Sequence, residues 1–128
     1  MKHLWDTNTV IYFLQNQFPS TAAVYIDSIL AKSDPAISVI TEIELLCWKT
    51  ENEEDLEVVQ NFIEAVPVIE LDKSIKLKTA ELRKGFRIKL PDAIIAATAM
   101  VYEMTLITRN TKDFSALVEL EVVNPFAE

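Results

Sequence analysis

The chain holds one cysteine, one histidine and one glycine among its 128 residues, and each scarcity excludes something. With Cys47 alone no intramolecular disulfide can form, which agrees with a reducing compartment and removes zinc-thiolate chemistry. The only histidine, His3, stands on an apolar first strand and reads as structural rather than catalytic. Gly85 as the only glycine, against the usual ~7%, speaks for a helix-rich chain with few strained turns. Long hydrophobic runs are missing too. The longest uncharged apolar stretch, Ala93 to Tyr102, is half a membrane span, and Asp6 is reached with no apolar leader before it, so a cytosolic protein is expected.

Positive charge is also in short supply: 12 basic residues face 20 acidic ones, for a net charge of −8. Phosphate binding usually rests on an excess of Lys and Arg, so the sum argues against a nucleic-acid partner. The distribution argues otherwise. From Glu42 to Asp72 there are ten acids and one base, Lys49, whereas from Lys73 to Lys89 there are seven bases and one acid, Glu81. That basic block is either a solvated helix face or a positive surface beside the acid that follows it in Leu90-Pro91-Asp92.

At 14.5 kDa and 50% hydrophobic, residues 1–128 have the size of one domain with a real core, and no repeat or linker divides them. Segments alternate along the chain. Strands are expected at Lys2–Trp5, Ala36–Val39, Val66–Leu71, Thr105–Thr108 and Leu120–Val123. Helices are expected at Thr9–Asn16, Thr21–Lys32 capped by Ser20, Thr41–Thr50, Glu53–Ala65, from Asp72 to Lys84 with Gly85 as its stop, and from Pro91 to about Glu103. Strands separated by helices imply a mostly parallel sheet covered on both faces, with ligands bound beyond the carboxyl ends of the strands.

Four acids stand where strand gives way to helix or loop: Asp6, Glu44, Asp92 and Asp113. Taken singly each has a local explanation. Asp6 or Asn8 can cap the first helix, Thr41-x-x-Glu44 matches a capping box, Asp92 after Pro91 suits a helix dipole, and Asp113 can make an Asx turn. Gathered at the ligand-binding end of one sheet, four carboxylates repel one another and call for a hard, oxygen-seeking cation such as Mg2+ or Mn2+. The chemistry that follows is metal-dependent phosphodiester hydrolysis. No serine or cysteine sits in a nucleophile setting, and Cys47 reads as core packing on the inner side of a helix.

The ordered strings Asp6-Thr7-Asn8, Ile37-Ser38-Val39-Ile40-Thr41 with Glu44-Leu45-Leu46, Leu90-Pro91-Asp92-Ala93-Ile94-Ile95-Ala96-Ala97-Thr98-Ala99, and Leu106-Ile107-Thr108-Arg109-Asn110 leading to Asp113-Phe114 together resemble a PIN domain. In layout they are similar to the VapC-type toxin ribonucleases of bacterial toxin-antitoxin pairs. The resemblance runs from residue 3 to about 124. It implies a three-layer α/β/α sandwich around a mostly parallel sheet of about five strands, and a metal-dependent endoribonuclease, commonly a homodimer, silenced by a cognate antitoxin. By position it carries over Asp6, Glu44, Asp92 and Asp113 as metal-site acids, with Asn8, Thr108 and Asn110 as polar support. Glu42 is a rival for Glu44, and helical periodicity does not separate them; the family pattern, with its acid directly before Leu-Leu, favours Glu44. Cys47-Trp48 replaces an aromatic-glycine pair often found in the family.

Lys76, Arg83, Arg87, Lys89, Arg109 and Lys112 are the candidates for holding an RNA backbone, with Lys76 and Arg83 on one helix face. Two other readings compete. A phosphoacceptor receiver module has the same length and class, with Glu70 and Asp72 closing the third strand, but it needs an acidic pair after the first strand and gives Asp92 no role. A PIN-like binding protein without activity is the second, although all four acids are in place.

Overall fold

The computed structural model describes residues 2–126, in which strands and helices alternate. In chain order they are β1 (His3–Trp5), α1 (Thr7–Leu14), α2 (Ser20–Leu30), β2 (Ile37–Ser38), α3 (Val39–Leu46), α4 (Glu53–Ala65), β3 (Val68–Ile69), α5 (Lys73–Gly85), α6 (Leu90–Val101), β4 (Thr105–Ile107) and β5 (Val122–Val123), with a 3-10 turn at Thr111–Phe114. Every strand pairing is parallel. β4 lies between β1 and β5, with Trp5 opposite Ile107 and Ile107 opposite Val123, while β2 pairs β3 with Ile37 opposite Val68. A single bridge joins the two ribbons: Trp5 N–H donates to the Ala36 carbonyl and Ala36 N–H to the His3 carbonyl, each at 3.0 Å. The spatial order is therefore β3-β2-β1-β4-β5, and the expected five-strand parallel sheet is present.

Successive strand residues face opposite ways, and this alternation sorts the core into two layers. Leu4, Ala36 and Leu106 point to one face, where they pack with Ile75 and Leu82 of α5 and Ala93 to Ala99 of α6. Trp5, Ile37 and Ile107, the next residues along, point to the other, where Val10, Ile26, Ile29, Leu45, Val59 and Phe62 receive them. Helices on both faces of the sheet make the three layers. Trp5 is fully buried and its ring sits 5.3 Å edge-on from Phe13 and 6.3 Å stacked on Phe62.

Several helix ends differ from the sequence reading, each for a local reason. α3 begins two residues early because Ser38, the last strand residue, is also its cap: the Ser38 hydroxyl accepts from Thr41 N–H at 3.2 Å. Thr41 is thus buried inside the first turn and forms no capping box with Glu44. Pro19, not Ser20, precedes α2. Gly85 ends α5 without a positive φ, so the helix stops by turning into the extended Phe86. α6 is buried on all sides from Ala93 to Ala99, while Tyr102 just past its end is exposed. Cys47 is exposed past the end of α3 rather than packed in the core.

Strand order removes the receiver reading. A doubly wound domain of that type has the order 2-1-3-4-5 with its third strand central, whereas β3 is here an edge strand. Asp72 is committed elsewhere. It caps α5 by accepting from Ile75 N–H at 2.8 Å and takes a hydrogen bond from the Tyr102 hydroxyl, which together hold its carboxyl below the usual range.

Candidate active site

Asp6 is the residue after β1, and its backbone must leave the sheet and enter α1 in one step. Its carboxylate makes that turn possible: Oδ1 accepts from Thr9 N–H at 2.9 Å as the helix cap, and Oδ2 accepts from the Thr108 hydroxyl at 2.5 Å. Thr9 in turn donates its hydroxyl to the Ile107 carbonyl at 2.9 Å. Asp6, 7% exposed, is thus clamped between the start of α1 and the end of β4. Thr108 is fully buried and also accepts from Asn110 N–H at 3.0 Å, so the loop after β4 is bonded to the same carboxylate through one hydroxyl.

Glu44 comes from the last turn of α3 and is held across the cleft: Thr7, the first residue of α1, donates its hydroxyl to Glu44 Oε1 at 2.5 Å. The Thr7 oxygen lies 3.3 Å from the Thr41 hydroxyl, which ties α1 to α3. Asp92 sits in the first turn of α6 behind Pro91, where the helix dipole favours an anion. Asp113 lies in the 3-10 turn, exposed, and accepts from the Asn110 amide at 2.5 Å.

Two adjoining clefts gather these groups. One of about 150 Å3 is lined by Asp6, Thr7, Asn8, Glu44, Asp92, Ile95, Asn110 and Phe114. The other, of about 230 Å3, is lined by Asp92 and Asp113 with Arg87, Lys89 and Lys112. Asp92 belongs to both. Its carboxyl is pushed up from the ordinary value chiefly by burial and then by Asp113, with smaller contributions from Glu44 and Asp6, against the opposing pull of Lys89. Each of the other three sequence-selected acids therefore acts on Asp92. Among the described residues no three of the four already close into a ligand cage.

Glu42, the rival on α3, lines neither cleft. Asn8 and Asn110 do line the first, and Thr108 supports it from beneath. The basic candidates separate. Arg87, Lys89 and Lys112 flank the second cleft, but Arg83 donates to the Ile88 carbonyl at 2.7 Å and braces the α5–α6 turn. Lys76 lies at the opposite end of the α5–α6 hairpin from Asp92, where Asp72 meets Tyr102. Arg109 is laid against the rings of Tyr12 and Phe126. Sequence reasoning missed Thr7 as the partner of Glu44; its place beside Asp6 was visible, but nothing in the string pointed across to α3.

Residues 4–120 match the family model for the PIN domain. A ribonuclease VapC1 of Haemophilus influenzae (strain R2866) is 27% identical over 94% of this chain and 96% of its own length. Among solved structures, VapBC-1 from nontypeable Haemophilus influenzae superposes with a TM-score of 0.81 at 27% identity, over 99% of this chain and 100% of that one. A toxin-antitoxin complex from Klebsiella pneumoniae superposes with a TM-score of 0.77 at 30% identity, again over 99% and 100% of the two chains.

Proposed function

The chain belongs to the PIN domain family, and on that premise we propose that it is a divalent-metal-dependent endoribonuclease acting as the toxin of a toxin-antitoxin pair. One observation carries the reading. Asp6, Glu44 and Asp92 open into one cleft beyond the carboxyl ends of a parallel sheet, and the proton affinity of Asp92 is raised there by burial and by the other acids. Residues 1–128 act as one domain in this reading. The name of the Haemophilus relative supports the nuclease activity, and the complex from Klebsiella supports an antitoxin partner. Among the described residues no helix is long and apolar enough to cross a membrane, in keeping with work in the cytoplasm. A homodimer is part of the proposal.

The donor set fits a hard cation: four carboxylates, no thiolate and no imidazole. Asp6, Glu44, Asp92 and Asp113 would hold Mg2+ or Mn2+. Such an ion would supply Lewis-acid stabilisation of charge on a phosphate and would lower the pKa of a water towards neutrality. The chain's own residues do the rest. Thr9 and Thr108 fix both oxygens of Asp6 yet leave each a lone pair, Thr7 fixes one oxygen of Glu44, and Asn110 fixes Asp113. Arg87, Lys89 and Lys112 stand where a phosphodiester backbone can lie beside Asp92 and Asp113. Such contacts position a strand without reading its sequence.

The test is metal titration of the purified protein, free of any antitoxin, with RNA present. Cleavage that needs Mg2+ or Mn2+ and disappears with chelation is expected. RNA binding with no cleavage under any divalent cation would leave the silent binding protein as the answer.

A further inference from the structure

We infer that Arg109 contacts a backbone phosphate of single-stranded RNA at the rim of the acidic cleft, and that Phe126 is the positioning residue that holds it there. The inference rests on the ribonuclease reading and adds a subsite to it. Arg109 stands between two residues of the site: Thr108, whose hydroxyl reaches Asp6, and Asn110, which lines the cleft and bonds Asp113. Its guanidinium carbon lies 4.5 Å from the centre of the Phe126 ring and 5.9 Å from that of Tyr12. The rings are braced in turn. Tyr12 and Phe126 meet edge to face at 5.1 Å, and Phe18 tilts against both at 6.2 Å and 5.3 Å.

The route of the chain explains why Phe126 reaches this corner. Thr108 N–H donates to the Val123 carbonyl at 3.0 Å, so the segments after β4 and after β5 leave the sheet side by side. Asn124 then accepts from Phe126 N–H at 2.9 Å, an Asx turn around the buried Pro125 that sends the ring back over α1. Tyr12 is one helical turn beyond Asn8, which lines the cleft.

Charge decides what the arrangement is for. Among the described residues the one ion pair is Lys78 with Glu81, so Arg109 pairs with none of the described acids. The guanidinium carbon lies over the Phe126 ring, and among the described residues its N–H groups make only a long 3.5 Å contact, from Nη1 to the Tyr12 hydroxyl. An exposed arginine held against a ring, with that one long contact on its fork, suits bidentate contact with a phosphate, and a preset rotamer lowers the ordering cost of binding. Because the protein carries a net charge of −8, a cation fixed at the mouth of the acidic cleft also offsets repulsion of the incoming strand.

Two measurements test this, cleavage kinetics and fluorescence anisotropy of a labelled single-stranded RNA bound to the Asp6→Asn protein. Arg109→Ala is expected to raise KM about tenfold and to lower the salt slope of binding by about one unit. Phe126→Ala should raise KM about three- to fivefold with the loss in KM rather than kcat, Phe126→Trp should restore it, and Phe126→Leu should not. The double variant should be no worse than Arg109→Ala alone, since Phe126 acts through Arg109. Additive losses, or full rescue by leucine, overturn the inference. If the parent cuts no RNA with any divalent cation but the anisotropy pattern holds, the nuclease reading falls and this subsite stands; if cutting is metal-dependent and the pattern is absent, the subsite falls alone.

Discussion

Both ends of the parallel sheet carry acidic residues, but only one end organises them. At the amino end Glu103, Glu119 and Glu121 line a cavity of about 370 Å3 with Lys78, larger than either cleft at the carboxyl end. These three are exposed, and Glu103 follows the carboxyl terminus of α6, where the helix dipole disfavours an anion. At the other end Asp6, Glu44 and Asp113 are each gripped by a hydroxyl or amide donor, and Asp92 sits at a helix amino terminus. Size and acidity do not make the site. What the carboxyl end has is fixed donors, with burial at Asp6 and partial burial at Asp92, and these hold charges together that would otherwise turn away into water.

The sharpest way to break the contrast is to neutralise one acid at each end. Asp6→Asn should lower kcat/KM for RNA cleavage by about a thousandfold or more, roughly 4 kcal/mol in the barrier, whereas Glu121→Gln should change it by less than about twofold. Steady-state cleavage of one RNA by the three proteins decides it, and equal losses would dissolve the distinction. Divalent cations supply the next effect. At ten times its Kd, Mn2+ should stabilise the parent by about 1.4 kcal/mol, seen as a rise in Tm. Glu119→Gln should keep that rise, and Glu44→Gln should lose most of it.

A smaller effect concerns Asp92, whose carboxyl titrates above its unfolded value because of burial and its acidic neighbours. Ionising it in the folded protein is unfavourable, so its contribution to stability is fully present below the unfolded pKa and is lost as pH rises through the folded one. Asp92→Asn should therefore melt a few degrees higher than the parent at pH 7 without added metal, with the gap closing as pH falls towards 4. A gap that widens on acidification would reverse the sign. Asp72, the cap of α5 beside Tyr102, behaves oppositely: its lowered carboxyl stabilises above the unfolded pKa, and the contribution disappears as pH falls. Asp72→Ala should lower Tm slightly at neutral pH, converge on the parent in acid, and leave RNA cleavage unchanged, since Asp72 lines neither cleft of the site.

The sequence was legible where local and global demands coincide. Asp6 can be read from the string because the residue that ends a strand and starts a helix needs a side-chain acceptor. Pro91-Asp92 is legible for a similar reason, as a helix start. Cys47 was misread because α3 ends at Leu46, four residues short of the expected Thr50, which turns the thiol out. The start of α3 was misplaced because Ser38 serves strand and cap at once, with no turn residue between. Arg83 and Lys76 were selected by charge alone, and charge does not record that one reaches a carbonyl while the other lies at the wrong end of a hairpin.

By itself the amino-acid sequence determined the alternation of strands and helices, the parallel sheet between two apolar layers, and the four acids at the junctions. These follow from periodicity, capping and turn chemistry, which act over a few residues. Tertiary structure brought Glu44, already favoured over Glu42 by the family pattern, to the cleft of Asp6, and it alone decided that Thr7 and Thr108 supply the donors to Glu44 and Asp6 and that Arg109 rests on Phe126. Those pairs stand 37, 102 and 17 positions apart in the chain, and only the packing of α1, α3 and the two strand ends brings them within reach of one another.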